Sequence, residues 1–175
     1  ISDVDIEIRQ VAGHTNIDLL KFVKTTKEHF ELSPLLQTLT TELDSHYIPT
    51  RMATLRWINM LLEKAPGEMK NFISELLPAL LKTLSDEADE VVLTNLEVLA
   101  QISLLHNQEF QRVLNAIVCL FAEDRGLLEL RGSLIIRYLC SLLSAKSIYF
   151  SLAAILQGTP SCLLYTSPSP RDGIG

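Results

Sequence analysis

The feature that most constrains this chain is a block of twelve residues that returns at nearly constant spacing. "RQVAGHTNIDLL" begins at Arg9, "RMATLRWINMLL" at Arg51, "LTNLEVLAQISL" at Leu93 and "RGSLIIRYLCSL" at Arg131, which gives steps of 42, 42 and 38 residues. Each block closes on a leucine (Leu20, Leu62, Leu104, Leu142), and its fourth position is small or apolar (Ala12, Thr54, Leu96, Leu134). Upstream segments echo one another too: "LLQTL" at Leu35–Leu39, "LLKTL" at Leu80–Leu84, and "VLNAIVCLF" at Val113–Phe121 in the last unit. Two helices in about 40 residues is the length of a HEAT or armadillo unit. Such a hairpin leaves one flank of each helix apolar, and stacking the next hairpin covers it. The expected fold is all-α, a HEAT/armadillo-like α-solenoid of antiparallel pairs, each unit running helix A, polar turn, helix B.

Within the blocks, apolar residues recur at i, i+3, i+4 and i+7, and no stretch sustains the strict alternation of a half-buried strand. Breaks are expected at Pro34, Pro49, Pro66, Pro78 and Gly126, with turns at Asp44-Ser45-His46 and Ser85-Asp86-Glu87. Helices of about 12 to 17 residues result. Ser33-Pro34 reads as an N-cap followed by proline at the first helical position. An arginine recurring in the first turns of helix B predicts an architectural role: methylenes along apolar neighbours, guanidinium to an acidic turn or carbonyl of the adjoining repeat.

Composition narrows the functional classes. The net charge is -6 and the 15 lysines and arginines are scattered, which argues against nucleic acid, since phosphate binding needs a dense basic surface. Cys119, Cys140 and Cys162 show no CxxC spacing, and the first two sit among apolar residues as small core hydrophobes do, which fits a reducing compartment. The apolar runs Leu134–Ile136 and Ser151–Leu156 fall far short of the roughly 18 residues a membrane span needs, so membrane association is expected to be peripheral or through a partner. The start at Ile1, with no cleavable leader pattern, reads as a fragment.

Chemical motifs are sparse. His14, His29, His46 and His106 lie far apart without ligand spacing, and no GxSxG, GxGxxG or P-loop occurs, so neither a metal nor another cofactor is expected. "SDEADEVV" (Ser85–Val92) gathers the carboxylates Asp86, Glu87, Asp89 and Glu90. Acid–base catalysis there would need an enclosing pocket, whereas capping by Ser85 or Asp86, with Asp89 and Glu90 at the positive end of the next helix, needs only the turn. An EF-hand is disfavoured because the alternating oxygen ligands and central glycine are missing. Trp57, the single tryptophan, follows Arg56: buried, it anchors the core; exposed, the pair is a candidate interface hot spot.

Three longer strings carry a specific likeness. "TRMATLRWINMLLEKAP" (Thr50–Pro66), "LLPALLKTLSDEADEVVLTNLEVLAQI" (Leu76–Ile102) and "LLELRGSLIIRYLCSLLSAKSIYFSLAAIL" (Leu127–Leu156) resemble the Vac-fourteen family of vacuole-morphology scaffolds. The likeness covers residues 30–157 well and 1–29 loosely. It implies a central piece of a non-enzymatic HEAT-repeat scaffold that holds a FYVE-type phosphoinositide kinase with a Sac-type phosphatase, the pair that makes and turns over phosphatidylinositol 3,5-bisphosphate. It also implies self-association and a peripheral place on the cytoplasmic face of endosomal, lysosomal or vacuolar membranes. On this reading residues 1–126 are HEAT-like repeats, and 127–158 form a further repeat that opens the phosphatase-binding region. The candidate interface residues are Arg56, Trp57, Arg131, Arg137 and Tyr138. The alternative is a general HEAT-repeat adaptor in membrane traffic. Residues 159–175, with "SCLLYTSPSPRDGIG", neither continue the pattern nor resemble the family; they read as a disordered, non-native tail, against a native Ser-Pro phosphorylation segment at Ser167 and Ser169.

Overall fold

The computed structural model describes residues 1 and 3–158; the tail at 159–175, with Cys162, Ser167 and Ser169, lies outside the described residues. The regular elements are α1 (Ile6–Thr25), α2 (Leu32–Glu42), α3 (Ile48–Lys64), a short α4 (Pro66–Met69) continued by a 3-10 turn (Lys70–Phe72), α5 (Ile73–Thr83), α6 (Asp89–Leu105), α7 (Asn107–Glu123), α8 (Arg125–Leu142) and α9 (Ala145–Gln157). No strand occurs among the described residues. The blocks that begin at Arg9, Arg51, Leu93 and Arg131 fall on α1, α3, α6 and α8. These four stack in that order as one layer; α2, α5, α7 and α9 stack as the other; and α2–α3, α5–α6 and α7–α8 pack as hairpins. The molecule is therefore an all-α solenoid two helices thick.

The helices start and stop for local reasons. Asp5 caps α1 by accepting from Glu7 N–H at 2.8 Å, Asp124 caps α8 through Leu127 N–H at 2.9 Å, and Ser144 caps α9 through Ser147 N–H at 3.3 Å. His106 separates α6 from α7, and its Nδ1 accepts from Gln108 N–H at 3.2 Å, so this histidine is a cap. Pro49 and Pro66 sit in first helical turns, where a missing N–H costs nothing. Two sequence expectations are corrected. Helix α2 begins at Leu32 with Glu31 at its N-cap and no side-chain cap bond, so Ser33 lies inside the first turn and caps nothing. Pro78 does not break the chain but lies within α5: it faces solvent while Ile73, Leu76, Leu77 and Leu80 bury the opposite flank, and that burial outweighs the lost backbone bond.

The core is continuous from α2 to α9 and centres on α6. Val91, Val92, Leu96, Val98, Leu99 and Ile102 are fully buried, because α6 has helices on both flanks and a hairpin mate behind it. Burying each such side chain contributes about 1.5 to 3 kcal/mol. Polar residues enter this interior by returning their hydrogen bond to their own helix. Thr54 donates to Thr50 O at 2.8 Å, Thr83 to Ala79 O at 2.8 Å and Ser103 to Leu99 O at 2.8 Å. Asn95, fully buried, donates to Leu80 O at 2.6 Å; that carbonyl lies in the last turn of α5, where Leu84 N–H turns instead to Leu81 O at 3.1 Å. Cys140 is half-buried against the core.

Candidate interaction surface

One turn between α5 and α6 gathers two of the three recurring arginines, Arg51 and Arg131, while Arg9 is exposed on α1. Arg51, on α3, is buried to 7% exposure. Its Nη2 donates to Asp86 Oδ1 at 3.0 Å, and its Nε lies 2.7 Å from Asp86 Oδ2 as a close charge contact. Its Nη1 donates to Ser45 O at 2.7 Å, so one guanidinium joins the turns of two successive repeats. Asp86 also folds its own turn by accepting from Ala88 N–H at 2.9 Å. From the other side, Arg131 on α8 donates to the carbonyls of Asp86 and Glu87 and pairs with Asp89 Oδ1 at 3.0 Å. The sequence reading of these arginines holds: they clasp the acidic turn and carbonyls of the neighbouring repeat. Asp86 and Asp89 accordingly pair the repeats and Asp86 closes its own turn, but the expected capping is corrected: the N-cap of α6 is Ala88, with no side-chain cap bond from Ser85 or Asp86.

Further polar ties recur at the repeat spacing. Lys24–Glu63 joins residues 39 apart, Trp57–Asn16 41 apart and Tyr138–Glu97 41 apart in the layer of α1, α3, α6 and α8. In the other layer Gln111–Ser151 are 40 apart and Arg112–Ser74 38 apart. A separation of one repeat means that each tie staples equivalent positions of adjacent units. Sequence reasoning missed Asn16, Asn95, Glu97 and Glu63, because each is a single polar residue whose local surroundings name no partner. For Asn16, Glu97 and Glu63 the period itself, applied as an offset of about 40 to polar residues on helix B, is the signal that finds the partner.

The structure divides the candidate interface residues into two kinds. Trp57 is buried at 8% exposure, with its indole N–H donated to Asn16 Oδ1 at 2.8 Å, so it takes the core-anchor alternative and joins α1 to α3. Arg131 is engaged in the turn clasp. Arg56 and Arg137 are exposed on α3 and α8, and Tyr138 lies beside Arg137 with its hydroxyl donated to Glu97 Oε1 at 2.8 Å. That acceptor holds the Tyr138 phenol above its ordinary value of 10.0, by the hydrogen bond first, then by burial and by the charge of Glu97. Arg56 on α3, Glu97 on α6 and Arg137 on α8 are exposed residues of the same layer. Among the described residues no three His, Cys, Asp or Glu side chains converge as metal ligands do.

Stacked hairpins and inter-repeat arginine clasps define the chain as a helical-repeat protein. No protein-family profile matches the chain, and no solved structure matches it. Curated proteins do. The chain is 38% identical over 158 residues to "Protein VAC14 homolog" of Arabidopsis thaliana, covering 90% of this chain and 21% of that protein. It is 36% identical over 124 residues to "Protein VAC14 homolog" of Schizosaccharomyces pombe, 70% of this chain and 15% of that protein. Over 162 residues it is 26% identical to "Vacuole morphology and inheritance protein 14" of Saccharomyces cerevisiae, 89% of this chain and 18% of that protein. The chain belongs to the VAC14 family, and it spans between 15% and 21% of the length of these relatives.

Proposed function

We propose that the chain is part of a non-enzymatic scaffold that organises a FYVE-type phosphoinositide kinase and a Sac-type phosphatase, and thereby controls phosphatidylinositol 3,5-bisphosphate. The observation that carries this reading is the 38% identity across 90% of the chain to a protein named as a VAC14 homologue. A solenoid suits this role, because its stacked faces hold two partners at high effective concentration without any chemistry of its own. Self-association of the full-length protein belongs to the same reading. The scaffold sits peripherally on endosomal, lysosomal or vacuolar membranes, and no helix among the described residues is long and apolar enough to cross one. Residues 127–158 open the phosphatase-binding region, with Arg137 and Tyr138 on its exposed side, and Arg56 belongs to the face turned to a partner.

The test is affinity capture of each purified enzyme on the immobilised chain and on two surface variants, Arg137→Glu and Arg56→Glu. Capture of the phosphatase, weakened by Arg137→Glu with the far-UV spectrum unchanged, is the expected result. A chain that retains neither enzyme removes the reading.

A further inference from the structure

The turn between α5 and α6 is held from two sides through different parts of one residue. Arg131, on α8, donates to the backbone carbonyls of Asp86 and, at 3.2 Å, of Glu87, and it pairs with Asp89 Oδ1 at 3.0 Å. Arg51, on α3, takes the Asp86 side chain instead, with Nη2 donating to Oδ1 at 3.0 Å. The same guanidinium donates through Nη1 to Ser45 O at 2.7 Å, in the turn ahead of α3. A continuous polar path therefore runs from α8 through Asp86 to the α2–α3 turn, across three successive hairpins. Its links are short in space and long in sequence: Arg131 lies 45 residues from Asp86, and Arg51 lies 35 residues from it. Two guanidiniums are donors only and cannot bond each other. Apart from their mutual repulsion, what passes between them passes through Asp86.

We infer that Arg131 is a positioning residue for the Arg51–Asp86 clasp, and that this turn is a conformational relay coupling α8 to the turn ahead of α3. The physical basis is order. Asp86 presents its carboxylate to Arg51 only while its backbone stays in place, and the carbonyl bonds from Arg131 hold that backbone. With the backbone already restricted, less conformational entropy is lost when Arg51 engages. A shift of α8 against α6 drags the two carbonyls, turns the carboxylate away from Arg51, and frees Ser45 O. The side chains of Arg51 and Asp86 are 9% and 8% exposed and that of Arg131 is 18% exposed, so the path is packed along its length, as a physical coupling route must be. If a partner seats on residues 127–158 as proposed above, its effect on α8 reaches the α2–α3 turn by this path. The coupling of Arg131 to Arg51 does not depend on that reading.

Native-state hydrogen exchange of single amides, followed by NMR on the whole chain, tests the relay. Two reporters lie on it: Ala88 N–H, bonded to Asp86 Oδ1 at 2.9 Å, and Ser45 N–H, bonded to Glu42 O at 3.1 Å. Ala65 N–H, bonded to Leu61 O at 2.9 Å at the far end of α3, lies off it. Arg131→Met is expected to speed exchange at both Ala88 and Ser45 by about 3- to 10-fold, the size of a modest coupling within one network, and to leave Ala65 unchanged. Arg51→Met/Arg131→Met is expected to exchange at Ser45 no faster than Arg51→Met alone, because the path is already cut. Asp89→Asn, which keeps both carbonyl bonds and alters a side chain 73% exposed, is expected to leave Ser45 unchanged. Should Arg131→Met fail to fold, Arg131→Lys keeps the charge but not the planar fork that spans two carbonyls, and gives the same pattern at smaller size. A rise at Ala88 with Ser45 unchanged makes Arg131 a local contact and overturns the inference. So does a rise at Ser45 matched at Ala65, which marks general loosening. Slower exchange at Ser45 overturns it as well, because relief of repulsion between the guanidiniums tightens the Arg51 clasp.

Discussion

Replacing Arg51 with methionine isolates what the buried clasp contributes. Methionine keeps the apolar stem along α3 but removes the guanidinium, so Asp86, whose side chain is 8% exposed, loses both close charge contacts. Breaking a buried pair by removing one partner costs about 3 to 5 kcal/mol, because a carboxylate stays desolvated and uncompensated. The Ala88 N–H still bonds Asp86 at 2.9 Å, which places the expected loss at the lower end, about 3 kcal/mol. Ser45 O loses its donor as well, which leaves the exposed Lys82–Asp44 pair at 2.7 Å as the remaining polar tie between the two turns. For a domain of this size 1 kcal/mol moves the melting temperature by about 2 to 4 °C, so a fall of about 6 to 12 °C is expected by far-UV circular dichroism at pH 7. The double variant Arg51→Met/Asp86→Leu removes the stranded charge along with the turn bond from Ala88 N–H, and it is expected to recover to within about 1 kcal/mol of wild type. A single variant within about 0.5 kcal/mol of wild type, or strictly additive losses in the double variant, would refute the buried-clasp reasoning.

Other substitutions separate packing from surface. Trp57→Phe keeps most of the apolar burial but loses the bond to Asn16, and chemical denaturation should show a loss of about 1 kcal/mol; Trp57→Ala should cost about 3 to 5 kcal/mol. Asn95→Leu strands the Leu80 carbonyl in the core and should cost about 1 to 3 kcal/mol, while Arg56→Ala should stay within about 0.5 kcal/mol. Tyr138 should ionise above 10.0 in an ultraviolet titration read as the difference from Tyr138→Phe, and Glu97→Gln should bring that titration down. Since its folded value is the raised one, the contact with Glu97 favours folding at all pH below the unfolded phenol value and is lost as pH climbs through the folded value.

The architecture was legible because one rule repeats. Apolar positions at helical spacing fixed the helices, and the return of the block from Arg9 to Arg51, Leu93 and Arg131 fixed their stacking, so even the partners of Arg51 and Arg131 followed in kind. Asp86 was readable as a turn acid but not as the ligand of two arginines, because local sequence carries no distance to a residue 35 positions away. Pro78 misled for the opposite reason: proline marks a local break, yet four buried neighbours hold α5 together across it. Trp57 was undecidable from its own surroundings, since an aromatic beside an arginine suits either a core or an interface. What decided it was Asn16, one repeat away. The bond from Tyr138 to Glu97 could not be read from any single block, because each block contributes one residue to it.

Bridging is the most direct measurement of scaffolding. The FYVE-type kinase is passed over immobilised Sac-type phosphatase with and without the chain, and the kinase retained is quantified. A scaffold predicts that kinase is retained only when the chain is present, rises to a maximum as the chain is added, and falls again when excess chain occupies each enzyme separately. Kinase retention that is the same at every concentration of the chain, with both enzymes shown to be folded and active, contradicts it.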